Sequence, residues 1–230
     1  MRRPALTCAV ALALLPALSG CGGEDEPSVL PTGAASYAMY HAAPRIMGDG
    51  FEATLALDAV HFRSETTQEG RTTRIDVSLR RDGDCVGRLQ LPDWSEPADF
   101  AVRDGVDYLR GSATFWGRYA DEYADRWVTT GELASMCDFG DRMAPFTRPI
   151  DDELTSRDGE AELRDRPVVR VSTPTRGGRL RAWVAADEPH HVLRLELTGG
   201  RDTGVIDLSE FDEPVDVPAP PAGQVVRLER

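Results

Sequence analysis

The strict alternation of apolar and polar side chains from Arg74 to Arg80 constrains the fold more than any other feature of the sequence. Because successive side chains of a β-strand point to opposite faces, Ile75, Val77 and Leu79 lie on one face and the polar residues on the other. Such a strand is half-buried and pairs with others that share its apolar face. The sequence therefore predicts an antiparallel sheet with one apolar face and one charged face.

Further segments with strand character follow on both sides of this one. The dipeptides Asp82-Gly83 and Asp104-Gly105 tolerate the positive φ angles of tight turns, and each joins two such segments into a hairpin. Upstream, Phe51–Phe62 alternates with a change of phase, which predicts two strands or a bulge. The three leucines of His191–Leu197 are expected on one face. The other predicted strands are Cys85–Leu91, Asp99–Val102, Val106–Leu109, Pro167–Ser172, Arg179–Ala185 and Thr203–Leu208.

Between the two groups of strands the period of the pattern changes. Phe115, Tyr119, Tyr123 and Trp127 recur every four residues, which is helical spacing. A second short helix is predicted over Glu132–Cys137, followed by a polar loop over residues 138–158 with one helical turn around residues 151–154. We expect this helical insertion to pack on the apolar face of the sheet.

The first twenty residues have the three parts of a secretory signal peptide. Arg2 and Arg3 supply positive charge, an apolar run extends from Ala9 to Leu18, and Ser19-Gly20 are small. The run of about ten residues is shorter than the roughly 20 that a transmembrane helix needs. The paired arginines leave twin-arginine export open beside the general route, and both lead outside the cytoplasm.

The signal ends on Leu18-Ser19-Gly20-Cys21, which resembles the lipobox of bacterial lipoproteins. There the cysteine thiol receives a diacylglyceryl group and becomes the mature N-terminus, and two or more acyl chains give lasting attachment to a membrane. The alternative is an ordinary signal peptide with a chance cysteine at its cleavage site. Residues 21–35 are rich in Gly, Pro, Ser and acidic residues, which predicts a flexible tether. Residues 36–230 are expected to form one domain on the outer side of the membrane.

The charge of the mature chain limits its partners. Without Arg2 and Arg3 it has 24 basic and 39 acidic side chains, a net charge near −15. A surface this acidic disfavours binding to nucleic acid and electrostatic docking on anionic lipid. We expect no nucleic-acid partner, and we expect the chain to be a monomer.

Two of the four cysteines remain available for a disulfide. Cys8 leaves with the signal peptide and Cys21 is consumed by the lipid, so Cys85 and Cys137 remain. An oxidising compartment favours joining them. The alternatives are two buried free thiols or a zinc site, but neither cysteine has a CxxC partner or a nearby histidine.

The order of lipobox, acidic tether, strands, helical insertion and further strands resembles the LolA-like half-barrel lipoproteins, especially the LprG- and LppX-like lipoproteins of actinobacteria. The phrases that carry the resemblance are Gly83–Leu89, Val106–Trp116, Arg126–Val128, Leu180–Ala186 and Leu208–Pro220. The resemblance implies an α+β, mostly β fold: a curved antiparallel sheet, or half-barrel, with helices on its concave face. It also implies an apolar cavity between them that accepts the acyl chains of lipids, lipoglycans or lipoproteins.

The residues expected to line such a cavity come from the strands and from the insertion. The alternative for each of these residues is that its side chain packs in a hydrophobic core that encloses no cavity. The candidates are Ile75, Val77, Leu79, Tyr108, Phe115, Trp116, Tyr119, Leu193 and Leu195.

Motifs of catalysis or metal binding are not found in the sequence. There is no GxSxG, no HExxH and no glycine-rich phosphate loop, and the four histidines have no ligand spacing. We therefore expect neither an enzyme nor a metal or other cofactor. The leading hypothesis is a lipid-anchored carrier that shields acyl chains. The alternative is an interaction or sensor module that contacts a membrane protein and holds no lipid.

Overall fold

The computed structural model describes residues 34–144, 146, 153–176 and 178–228. The predicted signal peptide, Cys21 and nearly all of the predicted tether lie outside these residues. The first described element is helix α1, Ala34–Tyr40, which begins within the last two residues assigned to the tether. Among the described residues, no helix is long and apolar enough to cross a membrane.

The described part of the chain contains twelve strands. In chain order they are β1 Ala59–Gln68, β2 Arg71–Arg80, β3 Cys85–Gln90, β4 Ala98–Arg103, β5 Val106–Arg110, β6 Trp127–Thr129, β7 Ser156–Leu163, β8 Arg166–Thr175, β9 Gly178–Ala185, β10 Val192–Thr198, β11 Asp202–Ser209 and β12 Val225–Arg227.

These strands form a single curved sheet that does not close into a barrel. Their order across the sheet is β12-β6-β5-β4-β3-β2-β1-β11-β10-β9-β8-β7. Neighbouring strands are antiparallel except at one edge, where β12 runs parallel to β6. The predicted fold class, a mostly β half-barrel, is confirmed.

The apolar face predicted from β2 is the concave face of the sheet. Ile75, Val77 and Leu79 are buried, with at most 6 % of their surface exposed. Both predicted hairpins are present, and Gly83 and Gly105 have φ angles of 91° and 75°. Only glycine adopts such angles without strain, so these two turns fix where the strands reverse.

The convex face carries a row of alternating charge that crosses seven strands in register. The backbone pairing places one residue of each strand opposite the next, and opposite charges alternate along the row. Ion pairs join several neighbours, with N–O distances of 2.8 Å for Arg194–Asp207 and 2.7 Å for Arg110–Asp99. The row consists of Arg194, Asp207, Arg63, Asp76, Arg88, Asp99 and Arg110. A one-residue slip of any strand would break it, so the row favours one register.

A helix replaces the first half of the strand predicted over Phe51–Phe62. Helix α2 covers Ala43–Leu55, and β1 begins only at Ala59. The prediction was wrong because the alternation within Phe51–Leu57 is too short to define a period. The buried residues of α2 extend upstream with helical spacing, and Pro44 fits the first turn, where its missing N–H costs nothing.

The insertion is less helical than its aromatic spacing predicts. Gly117, with φ of 53°, ends α3 Ala113–Trp116, and a 3₁₀ turn precedes α4 Ala120–Tyr123. Trp127 lies in β6 and not on a helix. A 3₁₀ turn over Ala134–Cys137 confirms the second short helix in part, and α5 follows at Phe139–Met143. β7 begins at Ser156, within the segment predicted as loop.

The C-terminal segment crosses from β11, in the middle of the sheet, to the edge beside β6. Asp212 accepts hydrogen bonds from the N–H groups of Asp58 and Ala59 at 2.6 and 3.3 Å. Arg103 donates to the carbonyl of Val217 at 2.7 Å. The segment then adds β12 beside β6, so the last strand of the chain covers an edge formed by the first half.

Candidate functional site

Two separate parts of the chain cover the concave face. Helices α1 and α2 pack over β7 to β10. Residues of the insertion between β5 and β7 join the same apolar core from the other side. The largest fully buried side chains come from the sheet and from both covers: Ile46, Met47, Leu79, Leu89, Phe100, Met143, Leu195 and Leu208.

Helix α2 lies very close to the sheet at Gly50. A Cβ atom at this position would be 3.0 Å from Val184 and 3.3 Å from Val192, so a larger side chain has no room. One turn later the Thr54 hydroxyl donates to the Gly50 carbonyl at 2.7 Å and accepts from the Val192 N–H at 2.8 Å. These contacts hold α2 to β9 and β10.

Helix α1 is held by an aromatic contact. The rings of Tyr37 and His190 stack with centroids 3.8 Å apart, and His41 lies 5.0 Å from Tyr37. The Tyr37 hydroxyl is buried without a hydrogen-bond partner among the described residues. Burial, with the negative charge of Asp49, raises the pKa of Tyr37 to about 12, so this phenol stays neutral.

The insertion is fastened to the sheet by the predicted disulfide. Cys85, at the start of β3, is bonded to Cys137, with Cα atoms 5.8 Å apart, and both residues are fully buried. Phe115 and Trp116 pack edge to face at 5.0 Å against the same core. The Ser112 side chain caps the short helix that carries them.

Asp107 is a second fastening point of the insertion. It belongs to β5, is only 1 % exposed, and accepts hydrogen bonds from Thr130 Oγ1, from the Gly131 N–H at 2.8 Å and from the Leu133 N–H at 3.2 Å. Burial opposes ionisation, but these three donors outweigh it and lower the pKa of Asp107. The buried carboxylate therefore fixes the loop that follows β6 within the insertion.

The two covers meet at a seam above the ends of β1 and β2. A depression of about 180 Å³ opens there, lined by apolar and charged residues at the end of α2, the start of α5 and the two strands. The large apolar side chains are Leu55, Leu57, Val60, Leu79 and Phe139, and the charged ones are Asp58, Arg80, Arg81 and Asp138. At its rim Arg81 pairs with Asp58 at 2.8 Å and donates to the carbonyls that end α2.

The structure places the predicted cavity-lining residues in different surroundings. Ile75, Val77, Leu79 and Leu195 lie in the main core on the concave face, and Phe115 and Trp116 pack at its margin. Tyr119 is 49 % exposed. Tyr108 lies in the opposite phase of β5, since its buried neighbours Asp107 and Leu109 take the concave side.

Leu193 does not share a face with Leu195, and that prediction was wrong. The register of β10 shifts between Val192 and Arg194, so a bulge turns Leu193 to the other side of the strand. It packs there in a second, smaller cluster with Val168 and Ala185.

Among the described residues, no three histidine, cysteine or carboxylate side chains are grouped as metal ligands. No protein-family model and no curated protein matches the sequence. Solved structures do match it. LprF from Mycobacterium bovis has a TM-score of 0.57 at 18 % identity, over 77 % of this chain and 96 % of that one. The lipoprotein LppX from Mycobacterium tuberculosis has a TM-score of 0.53 at 17 % identity, over 77 % of this chain and all of that one.

The chain has the half-barrel fold of LprF and LppX. In this LppX-type half-barrel, the residues that the sequence analysis missed are those of α2. Ile46, Met47 and Phe51 cover the concave face with at most 4 % exposure. The spacing of Ile46, Met47, Gly50 and Thr54 could have revealed them, because it repeats every three to four residues.

Proposed function

We propose that this protein is an extracytoplasmic lipoprotein, anchored through a lipidated Cys21, that binds the acyl chains of a lipid or lipoglycan and catalyses no reaction. The observation that carries the proposal is the continuous apolar concave face under two covers that are separate in the chain. The likeness in fold to LppX, which is a lipoprotein, supports it.

The seam between α2 and α5 is the proposed access path. Its depression of about 180 Å³ is smaller than the roughly 300–1,000 Å³ of small-molecule sites. An acyl chain therefore has to displace part of the cover. Each methylene removed from water contributes about 0.8 kcal/mol, so a long chain offsets the cost of parting the two covers.

Native mass spectrometry of the chain without residues 1–21, purified from its own host, tests this proposal. We expect one bound lipid per chain, released by organic extraction. The substitution Phe139→Asp places a charge in the seam and should reduce lipid occupancy severalfold. Tyr119→Asp, on the exposed side of the same insertion, is the matched control and should leave occupancy unchanged. A lipid-free mass that persists after incubation with host lipids would refute acyl-chain binding.

The tight filling of the concave face favours one second candidate. In that alternative the half-barrel is a closed interaction or sensor module that contacts a membrane protein and holds no lipid. Two results together would favour this module. One is a lipid-free mass, and the other is a free energy of unfolding of Phe139→Asp that is the same with and without added lipid.

A further inference from the structure

Three of the five large hydrophobic side chains that are exposed among the described residues belong to the end of α1 or to the segment just before β7. Met39 and Tyr40 end α1 and are 61 % and 65 % exposed, and Leu154, just before β7, is 56 % exposed. Arg157 of β7 donates to the carbonyl of Ala38, which places the start of β7 beside the end of α1. We refer to Met39, Tyr40 and Leu154 as the apolar corner.

The apolar corner belongs to an ordered part of the fold. Tyr37 and Ala38, the preceding residues of α1, are buried, and Tyr37 is stacked on His190. Helix α2 starts at Ala43, only three residues after Tyr40. Because both neighbouring segments are packed, Met39 and Tyr40 are held facing outward.

The position of the corner in the chain points to a lipid surface. This step rests on the proposed anchor at Cys21. Residues 22–33 join that cysteine to α1, and twelve residues span at most about 40 Å. Helix α1 is thus kept near the bilayer, and it ends in exposed apolar side chains.

The chemistry of the corner fits the interfacial layer of a bilayer. Tyrosine has an apolar ring and a polar tip, and it is enriched at the level of lipid headgroups. Methionine and leucine are apolar side chains that can enter the acyl boundary. Net electrostatic attraction does not provide the contact, because the mature chain has 39 acidic and only 24 basic side chains.

We propose that the apolar corner docks on the lipid surface in which the chain is anchored. Docking at the α1 end orients the half-barrel, because this corner lies beside β7, at one edge of the sheet. The convex charge row and β12 are then left facing water or a partner.

Fluorescence of single tryptophan substitutions in the intact lipidated chain tests this proposal. The chain is reconstituted into phosphatidylcholine vesicles with plain or brominated acyl chains, and its mass confirms the acyl groups. Tyr40→Trp is compared with Val106→Trp, since Val106 is 42 % exposed on β5, toward the opposite edge of the sheet. The signal of the four native tryptophans is subtracted by using the unsubstituted chain.

We expect the emission from position 40 to shift to shorter wavelength on vesicles, with at least about twofold more quenching by brominated lipid than at position 106. Equal quenching at the two positions, in a chain whose mass includes the acyl groups, would overturn docking alone. Bound lipid cargo would remain possible, since it is detected separately by native mass. If the emission from position 40 shifts with protein concentration in the absence of vesicles, the apolar corner contacts a second copy of the chain, and the proposal is overturned. A mass without acyl groups would overturn both the anchor and the docking.

Discussion

The double substitution Cys85→Ala and Cys137→Ala removes the covalent link between β3 and the insertion. The bond closes a loop with a sequence separation of 52 residues, which contains β4, β5, β6 and part of the cover. In the chain-entropy description, a loop of this length corresponds to about 4 kcal/mol of stability from restriction of the unfolded chain. Both cysteines are fully buried, so the lost packing of two sulfur atoms adds to this amount.

Urea unfolding of the chain without residues 1–21 measures this loss. With a slope of about 2–3 kcal/mol per molar urea, the midpoint should fall by roughly 1.5–2 M. The unsubstituted protein, reduced by dithiothreitol during unfolding, is the control and should show a similar midpoint. Near-ultraviolet circular dichroism of the variant in water should stay native, because the Asp107 hydrogen bonds still hold the insertion.

The size of the loss decides whether the reasoning is correct. A decrease of less than about 1 kcal/mol would show that the unfolded chain is not restricted by the loop, and the entropic account would fail. A large decrease in the variant without any decrease in the reduced protein would assign the effect to packing around the sulfur atoms.

Three further substitutions test the contacts that hold the two covers, each by urea unfolding. Thr54→Val keeps the shape of the side chain but leaves the buried Val192 N–H without an acceptor, and it should cost about 1–3 kcal/mol. Gly50→Val overpacks the contact with Val184 and should cost about 1–3 kcal/mol, whereas Gly48→Ala, which meets no atom within 4 Å, should not destabilise. Because the pKa of Asp107 is lowered in the fold, its carboxylate contributes stability above pH of about 4, and this is lost as the pH falls through the folded pKa. Asp107→Asn should therefore be less stable than the unsubstituted chain at pH 7, and the difference should shrink toward pH 3.

The local pattern of the strands was sufficient to predict most of the sheet. The alternation in β2 and the two Asp-Gly turns depend on interactions between near neighbours, and both are present as predicted. The helical spacing from Phe115 to Trp127 was misleading, because one glycine with a positive φ interrupts it at Gly117. The bulge that turns Leu193 outward depends on the pairing of β10 with β9, which a single strand does not encode.

The candidate site was harder to predict because it joins distant segments. Cys85 and Cys137 could be paired from the sequence, since the predicted signal peptide and lipid anchor account for the other two cysteines. Whether the concave face is open depends on the volumes of side chains such as Ile46 and Met143, which are 97 residues apart and come from different covers. The periodicity of one segment contains no information on how well it fits against another, so the sequence could not distinguish an open cavity from a closed core.

The unequal fastening of the two covers indicates which one would move in the proposed binding of a lipid. The insertion is held by the Cys85–Cys137 bond and by the buried carboxylate of Asp107. Helix α2 is held by apolar contact at Gly50, by the hydrogen bond from the Val192 N–H to Thr54 and by Arg81, which donates to the carbonyls at the end of the helix. Because none of these contacts is a disulfide, parting the seam costs less on the α2 side. Lipid uptake should then rise in Thr54→Val and stay nearly unchanged without the disulfide, and the opposite result would assign the movement to the insertion.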